Sequence, residues 1–330
     1  MRYYIKKIAL LLGLIVVAVG GIVGWHIHLY KMKVTEYSRT TPRSIRVGNL
    51  ERTYQLFVPT TCSATMPVPL LLVLHGGYGT GTGTQYLTLG GFNDQAQREG
   101  FIVVYPDGIE RNWNDGREIP TSTAHRLKLD DVGFLKAMIE SLKKEYRIDS
   151  ARIFSTGISN GAFMSARLGI ECADIFAAIA PVTGSLPKIA TDRPRPAEPV
   201  SVLMINSTAD PLVPFAGGMV GTKRKPRGNC ISVNDAVRFW VQADGCATEP
   251  VITDEPDRDP SDGTRVKKHL FSGGRNGSEV ILYEIIGGGH TWPSGHQYAP
   301  EAIIGKTSKD LDACKTIWEF FKSHPKIERR

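Results

Sequence analysis

The residues best suited to chemistry in this 330-residue chain lie in the stretch Thr156–Gly161, which has the spacing Gly-x-Ser-x-Gly. A strand-like run precedes the stretch, and apolar residues recur at helical spacing from Ala162 to Leu168. A serine on a sharp turn between strand and helix adopts strained backbone angles that expose its hydroxyl, and the flanking glycines let the two elements cross closely. The adjacent helix N-terminus favours the negative charge of a tetrahedral intermediate. The pattern predicts that Ser159 is a nucleophile; the alternative is a Gly/Ser turn without chemistry.

Two further residues complete a set of nucleophile, acid and base. Asp210 comes just after the apolar run Val200–Asn206, where such an architecture places the acid that orients a catalytic histidine. His290 follows the run Glu279–Ile286 and three glycines. The alternatives are an Asx turn at Asp210 and an exposed loop histidine. Because three independent placements agree with one mechanism, we predict a Ser159, His290 and Asp210 triad.

Loops after two other predicted strands are candidates for substrate contacts. Gly77 lies in a glycine-rich loop after an apolar run, so we assign one oxyanion-hole N–H to Gly77 and the other to Asn160. Trp113 and Trp292 are predicted to line the acyl pocket. The alternative is that each tryptophan packs against the loop beneath it.

The elements that must position these residues alternate between strands and helices. Uninterrupted apolar runs such as Leu70–Leu74 and Phe101–Pro106 are typical of strands buried on both faces. Thr53–Pro59 has the alternation expected of a sheet-edge strand, and Asp130 and Asp131 are expected to cap an amphipathic helix. The sequence predicts an α/β fold whose central sheet is mostly parallel, with helices on both faces.

The N-terminal segment predicts the compartment. No charged residue occurs from Ile8 to Trp25, and Arg2, Lys6 and Lys7 precede this segment. We expect an uncleaved membrane anchor with the catalytic body exported, the alternative being a signal peptide cleaved near Gly20. We divide the chain into a targeting segment (1–30), a linker (31–45), a catalytic domain (46–324) and a polar tail (325–330).

Composition narrows the other function classes. The formal charge of +7 comes largely from terminal and loop clusters such as Lys223–Lys225, so we expect no nucleic-acid partner. Five cysteines leave at least one thiol unpaired within the chain, and disulfides among the others remain open. None has the spacing of a zinc site, so we expect no metal and no cofactor.

Together these motifs resemble the extracellular poly(3-hydroxybutyrate) depolymerase and feruloyl esterase group of the α/β-hydrolase superfamily, over residues 47–321. The motifs that carry the resemblance are Leu74-His75-Gly76-Gly77, Tyr105-Pro106-Asp107-Gly108, Trp113-Asn114, Asp130-Asp131-Val132-Gly133-Phe134, Gly157-Ile158-Ser159-Asn160-Gly161-Ala162, Ala209-Asp210 and Gly288-Gly289-His290-Thr291-Trp292-Pro293. The resemblance implies an α/β-hydrolase fold and a serine esterase acting on short-chain, hydroxyalkanoate or hydroxycinnamoyl esters. It places the nucleophile, acid and base on the same three residues.

The chain departs from that group in two respects. Relatives often have a cysteine at the segment matching 272–274, able to pair with the one matching Cys246, and this chain has none there. Polymer-degrading members usually append a surface-binding module, whereas this chain ends soon after its last predicted helix, so small or oligomeric esters are the expected substrates. The alternatives are a serine peptidase on the same fold and a catalytically silent binding protein.

Overall fold

A ten-stranded sheet organises residues 39–62, 66–188 and 195–327, which are the residues that the computed structural model describes. The predicted anchor, Ile8–Trp25, lies outside these residues. Among the helices of the described ranges, none is long and apolar enough to cross a membrane.

The sheet has the strand order β1-β2-β4-β3-β5-β6-β7-β12-β11-β10, and a separate hairpin is formed by β8 and β9. The strands are β1 (Thr41–Val47), β2 (Leu50–Phe57), β3 (Val68–Leu74), β4 (Ile102–Pro106), β5 (Ile148–Ile158), β6 (Ala178–Val182), β7 (Ser201–Ser207), β8 (Gly218–Thr222), β9 (Lys225–Cys230), β10 (Val251–Asp254), β11 (Arg265–Phe271) and β12 (Val280–Ile286).

The six central strands, from β4 to β12, are parallel, and antiparallel strands complete both edges. These parallel pairs confirm the prediction of a mostly parallel sheet. As the apolar runs predicted, β3, β4 and β7 are buried along their whole length. Two details differ from expectation. β1 begins at Thr41, inside the predicted linker, and it covers β2, which is therefore not the edge strand.

Helices cover both faces of the sheet, as predicted. In the described part of the chain they are α1 (Gly81–Leu87), α2 (Gly91–Glu99), α3 (Thr123–Arg126), α4 (Asp131–Glu145), α5 (Asn160–Glu171), α6 (Val233–Asp244), α7 (Glu301–Ile304) and α8 (Ala313–Ser323). One core lies between the sheet and α4, α5 and α6, and the other lies between the sheet and α2 and α8. The large aromatic side chains Trp240 and Trp318 fill these two cores.

The sequence predicted that both aspartates at the start of α4 cap the helix, but only Asp130 does so. Asp130 caps the helix by accepting the N–H of Gly133, at 2.8 Å. Asp131 is buried instead, where it pairs with Arg52 at 2.7 Å and accepts the N–H of Asn114 at 2.7 Å. The second aspartate therefore anchors the loop after β4 on the same side as the candidate site.

The five cysteines all lie within the described residues, and all are free thiols. Burial raises the pKa of Cys172, Cys230 and Cys246 to about 11. Because the thiolate is the reactive form, these cysteines behave as small core residues.

Candidate active site

Ser159 occupies the turn between β5 and α5 with φ 55° and ψ −117°, a conformation that an L-residue adopts only under strain. Its backbone N–H donates to the carbonyl of Val182 at 3.0 Å, and its carbonyl accepts the first helical bond from Phe163 at 3.0 Å. The residue is thus held between the end of the strand and the start of the helix. The predicted strand, turn and helix are all present.

The flanking glycines are required by the closeness of this crossing. A Cβ atom on Gly161 would lie 2.3 Å from the carbonyl oxygen of Leu74, and one on Gly157 would lie 2.7 Å from the same oxygen. Real Cβ atoms do not approach backbone oxygens so closely. The packing of α5 against the end of β3 therefore depends on glycine at both positions.

His290 and Asp210 meet in a buried hydrogen bond. His290 Nδ1 lies 2.7 Å from Asp210 Oδ2, and both side chains are almost fully buried. Asp210 Oδ1 accepts the N–H groups of Leu212 and Val213, each at 2.8 Å, which fixes the orientation of the carboxylate. With the Nδ1 proton directed at Asp210, Nε2 retains the lone pair that a general base needs.

The loop that carries His290 is held by its backbone. The His290 carbonyl accepts the hydroxyl of Tyr298 at 2.9 Å, and its N–H donates to the carbonyl of Ile304. The close approach of Gly289 to residues 304 and 305 leaves no room for a Cβ atom. The glycines before His290 therefore serve packing as well as the turn.

A neutral histidine supports the predicted oxyanion loop. His75 Nε2 accepts the N–H of Gly108 at 2.9 Å, so Nδ1 carries the proton and donates it to the carbonyl of Gly76 at 2.8 Å. Burial lowers the pKa of His75 to about 4, which keeps the imidazole neutral in this arrangement. These bonds hold the loop that presents Gly77 to the cavity.

Asn160, the first residue of α5, locks the loop after β4 onto the serine turn. Its Oδ1 accepts the N–H of Trp113 at 2.8 Å, and its Nδ2 donates to the carbonyl of Trp113 at 3.1 Å and to Asp115 at 2.6 Å. Asp115 also receives two bonds from Arg117, at 2.9 and 2.6 Å. With the side chain engaged, the backbone N–H of Asn160 at the helix N-terminus is the group suited to bind an oxyanion.

Ser159, His290 and Gly77 line one cavity of about 530 Å³. Ser159 and His290 share this cavity but not a hydrogen bond among those formed by the described residues, and such bonds often tighten only when substrate binds. Apolar side chains form part of the wall, among them Leu87, Val220 and Ile303. The site combines a serine hydroxyl on a strained turn, an imidazole oriented by a carboxylate, and N–H groups at a helix N-terminus. These are the groups that acyl transfer requires.

The two tryptophans predicted to contact substrate are elsewhere. Trp113 and Trp292 are both fully buried, and neither is among the described residues that line the cavity. Trp113 packs against the ring of His75 at 4.8 Å and donates its Nε1–H to the carbonyl of that residue at 3.0 Å. Trp292 packs edge-on against Phe92 at 5.8 Å. The expectation of an aromatic acyl wall is thus corrected: both rings support the loops that carry the site.

The structure also brings residues to the cavity that the sequence analysis missed. Lys225 and Arg227 reach it from the β8–β9 hairpin, and Arg111 and Arg117 reach it from the loop after β4. The only sequence feature that pointed to Lys225 and Arg227 is the cluster of basic residues at 223–227. No group of His, Cys, Asp or Glu side chains in the described ranges is arranged to hold a metal ion.

Comparison with known proteins identifies relatives over most of the chain. Residues 52–213 match the family model described as Esterase PHB depolymerase. The putative esterase NocK of Nocardia uniformis subsp. tsuyamanensis is 31% identical over 290 residues, which cover 85% of this chain and 82% of that protein. Feruloyl esterase B of Piromyces equi is 27% identical over 243 residues, which cover 72% of this chain and 42% of that larger protein.

A solved structure supports the same architecture. The acetyl xylan esterase from Aspergillus awamori superposes with a TM-score of 0.56 at 14% sequence identity, over 86% of this chain and 99% of that one. At this level of identity the likeness concerns the fold, which agrees with the α/β-hydrolase prediction.

Proposed function

Because this chain belongs to the Esterase PHB depolymerase family and is a carboxylic ester hydrolase, we propose that Ser159, His290 and Asp210 form its catalytic triad. One observation carries the proposal most directly. His290 is hydrogen bonded to Asp210 at 2.7 Å and lines the same cavity as Ser159, which has the strained backbone expected of a nucleophile.

The reaction is a two-step acyl transfer. His290 Nε2 accepts the proton of Ser159 Oγ while Oγ attacks the ester carbonyl carbon. The tetrahedral intermediate then collapses, and His290 protonates the departing alcohol. Water deprotonated by His290 attacks the acyl-enzyme, and the acid is released with Ser159 restored.

Two backbone N–H groups, those of Asn160 and Gly77, bind the oxyanion of each tetrahedral intermediate. The Asn160 N–H lies at the N-terminus of α5, where the helix dipole adds to the stabilisation. Asp210 keeps the proton of His290 on Nδ1 and stabilises the imidazolium that forms in each step. This chemistry uses no metal or cofactor.

The substrates that we propose are short-chain, hydroxyalkanoate or hydroxycinnamoyl esters, as small molecules or oligomers. A cavity of about 530 Å³ with Leu87 and Ile303 in its wall suits a compact acyl group. We expect long-chain triacylglycerols to be poor substrates. A preference for acyl chains of about ten carbons or more would contradict this assignment.

The triad is tested by comparing an aryl ester with a peptide anilide in the wild type, Ser159→Ala and Ser165→Ala. Ser165 is a matched control, because it lies on the same helix, is fully buried and donates to the carbonyl of Ser155. We expect Ser159→Ala to abolish ester hydrolysis and Ser165→Ala to retain it. Near-wild-type hydrolysis by Ser159→Ala contradicts the triad.

Two outcomes would favour the rival functions. Faster cleavage of the anilide than of the ester would favour a serine peptidase. Failure of Ser159 to react with a fluorophosphonate, together with an absence of ester hydrolysis, would favour a catalytically silent binding protein.

We also propose that the catalytic domain is exported and tethered by the segment Ile8–Trp25, an inference that depends on sequence alone. Full-length protein should then partition with membranes and be digested by protease added outside. Recovery of a soluble chain that starts near Gly20 would instead establish a cleaved signal peptide.

A further inference from the structure

The wall of the active-site cavity carries charge of one sign. Four of its lining side chains are cationic, Arg111, Arg117, Lys225 and Arg227, and no aspartate or glutamate is among the described residues that line it. A concave surface with unbalanced positive charge concentrates anions.

Arg117 is built into the wall. Its side chain is 1% exposed, it pairs with Asp115 at 2.6 Å, and its guanidinium lies 4.0 Å from the ring centre of Phe163. Asp115 therefore balances its charge. Its Nη1 is nevertheless buried and donates to no acceptor among the described residues. This nitrogen can therefore still donate a hydrogen bond to an acceptor that comes within reach.

Arg227 lies against the predicted oxyanion loop and, among the residues that the structure describes, has no carboxylate partner. Its guanidinium sits 4.1 Å from the ring centre of Tyr78, and a Cβ atom on Gly77 would fall 2.3 Å from its Nη1. Its side-chain hydrogen bond in the described residues is a long one, 3.4 Å, to Asn112 Oδ1. The ring positions a half-buried guanidinium beside the site of reaction without neutralising it.

Arg111 brings a second uncompensated cation to the same place through a strained turn. Glu110 and Arg111 have consecutive positive φ angles of 47° and 61°. The Arg111 carbonyl accepts the N–H of Tyr78 at 2.8 Å, and its Nε lies 3.4 Å from the carbonyl of Gly79. Such strain persists only where the surrounding structure fixes it. No ion pair joins Arg111, Lys225 or Arg227 to an acid in the ranges that the structure describes.

We propose that the ester substrate carries a carboxylate group, which Arg227 binds with support from Arg111 and Lys225. The inference rests on the proposed function, since it concerns the substrate of that same site. A planar guanidinium pairs with a carboxylate through two parallel hydrogen bonds, and the neighbouring cations add attraction without competing for its donors. The carboxylate belongs to the acyl or to the alcohol half and is not the ester being cleaved.

The test compares charged and neutral esters in matched pairs. For the acyl half, the pair is mono(4-nitrophenyl) adipate and its methyl ester. For the alcohol half, the pair is 4-acetoxybenzoate and its methyl ester. The readout is the ratio of kcat/KM for the anionic ester to that for its neutral partner, corrected for the non-enzymatic rates.

We expect the wild type to prefer the anionic member of at least one pair by about tenfold or more, and Arg227→Gln to lower that ratio by about 10- to 100-fold. Added salt should lower the wild-type ratio. Arg224→Gln removes the same charge from the turn of the same hairpin at an exposed position outside the cavity, so its ratio should match the wild type. Arg227→Lys, which keeps the charge but loses the fork, should fall between the wild type and Arg227→Gln.

A wild-type ratio near one for both pairs overturns the inference, and so does an equal loss of preference in Arg224→Gln and Arg227→Gln. If Arg227→Gln fails to fold, an unchanged ratio in Arg227→Lys together with no effect of salt has the same meaning. These results leave the proposed function standing whenever the neutral esters are hydrolysed through Ser159. If none of the four esters is hydrolysed, the result counts against the proposed function itself.

Discussion

Nδ1 of His290 lies 2.7 Å from Oδ2 of Asp210, across a gap of eighty residues in sequence, and the other carboxylate oxygen is held by two backbone N–H groups. The acid is thus fixed before the histidine meets it. Because the parallel strands β7 and β12 are neighbours in the sheet, their carboxyl ends bring the two residues together.

Asp210→Asn should lower kcat for an aryl ester by about 10³- to 10⁴-fold, because an amide in this position favours the wrong tautomer of the imidazole. Steady-state kinetics on purified protein measures the loss. Asp235→Asn, a change on an exposed part of α6, is the control and should keep wild-type activity. An Asp210→Asn enzyme that retains a tenth of wild-type kcat would show that His290 does not depend on this carboxylate.

Gly161→Ala should destabilise the protein by about 2 kcal/mol or more, since its Cβ would lie 2.3 Å from one backbone oxygen and 2.6 Å from another. Gly76→Ala is the comparison. The nearest heavy atoms to its Cβ are at 3.4 Å, so the cost should stay below about 1 kcal/mol. Urea denaturation measures both. Equal free energies of unfolding for the two variants would contradict the close crossing at the serine turn.

Much of this framework could be predicted because its signals are local. The runs that form β3, β4 and β7 are apolar throughout, as strands buried on both faces must be. The Gly-x-Ser-x-Gly spacing around Ser159 predicts the strained turn, and Asp210 and His290 each follow an apolar strand. Local sequence patterns were therefore enough to predict which residues form the candidate site.

What could not be predicted depends on contacts between distant segments. Trp292 follows His290 closely, yet its ring turns away from the cavity to pack on Phe92. The hairpin strand Lys225–Cys230 contains proline, glycine and two cations, so nothing in its composition indicates a strand. Its place in the cavity wall could not be predicted, because it depends on the fold that brings Arg227 over Tyr78.

Trp292→Ala should destabilise the protein by about 3–5 kcal/mol and reduce activity on all esters alike, because the ring is buried away from the cavity. Ile303→Ala, at an exposed position in the cavity wall, should instead alter the relative rates for acetyl and longer acyl esters. Thermal unfolding and a panel of acyl 4-nitrophenyl esters measure the two effects. A selective loss on one acyl group in Trp292→Ala would restore the ring to the substrate pocket.

Asp244 should make stability fall as pH rises from about 4 to about 7. Burial raises the pKa of the Asp244 carboxyl group from its ordinary value of 3.8 to about 7, so the folded protein favours the protonated form. A raised folded-state pKa contributes stability fully below the unfolded-state pKa, and that contribution is lost as pH rises through the folded-state pKa.

Asp244→Asn removes this titration and can keep the hydrogen bond from the N–H of Val200, which the carboxylate accepts at 3.0 Å. The wild type should therefore lose free energy of unfolding relative to Asp244→Asn across this pH window. Chemical denaturation at several pH values measures the difference. A difference that does not vary with pH would show that the side chain titrates normally in the folded state.

The proposed mechanism requires that an acyl group forms on Ser159 during each turnover. Rapid acid quenching during turnover of a 4-nitrophenyl ester, followed by peptide mass spectrometry, locates the acyl group directly. We predict an adduct of the acyl mass on the peptide that contains Ser159, formed with a burst of 4-nitrophenolate and absent in Ser159→Ala. An adduct on a different residue, or full turnover by Ser159→Ala, would show that Ser159 is not the nucleophile.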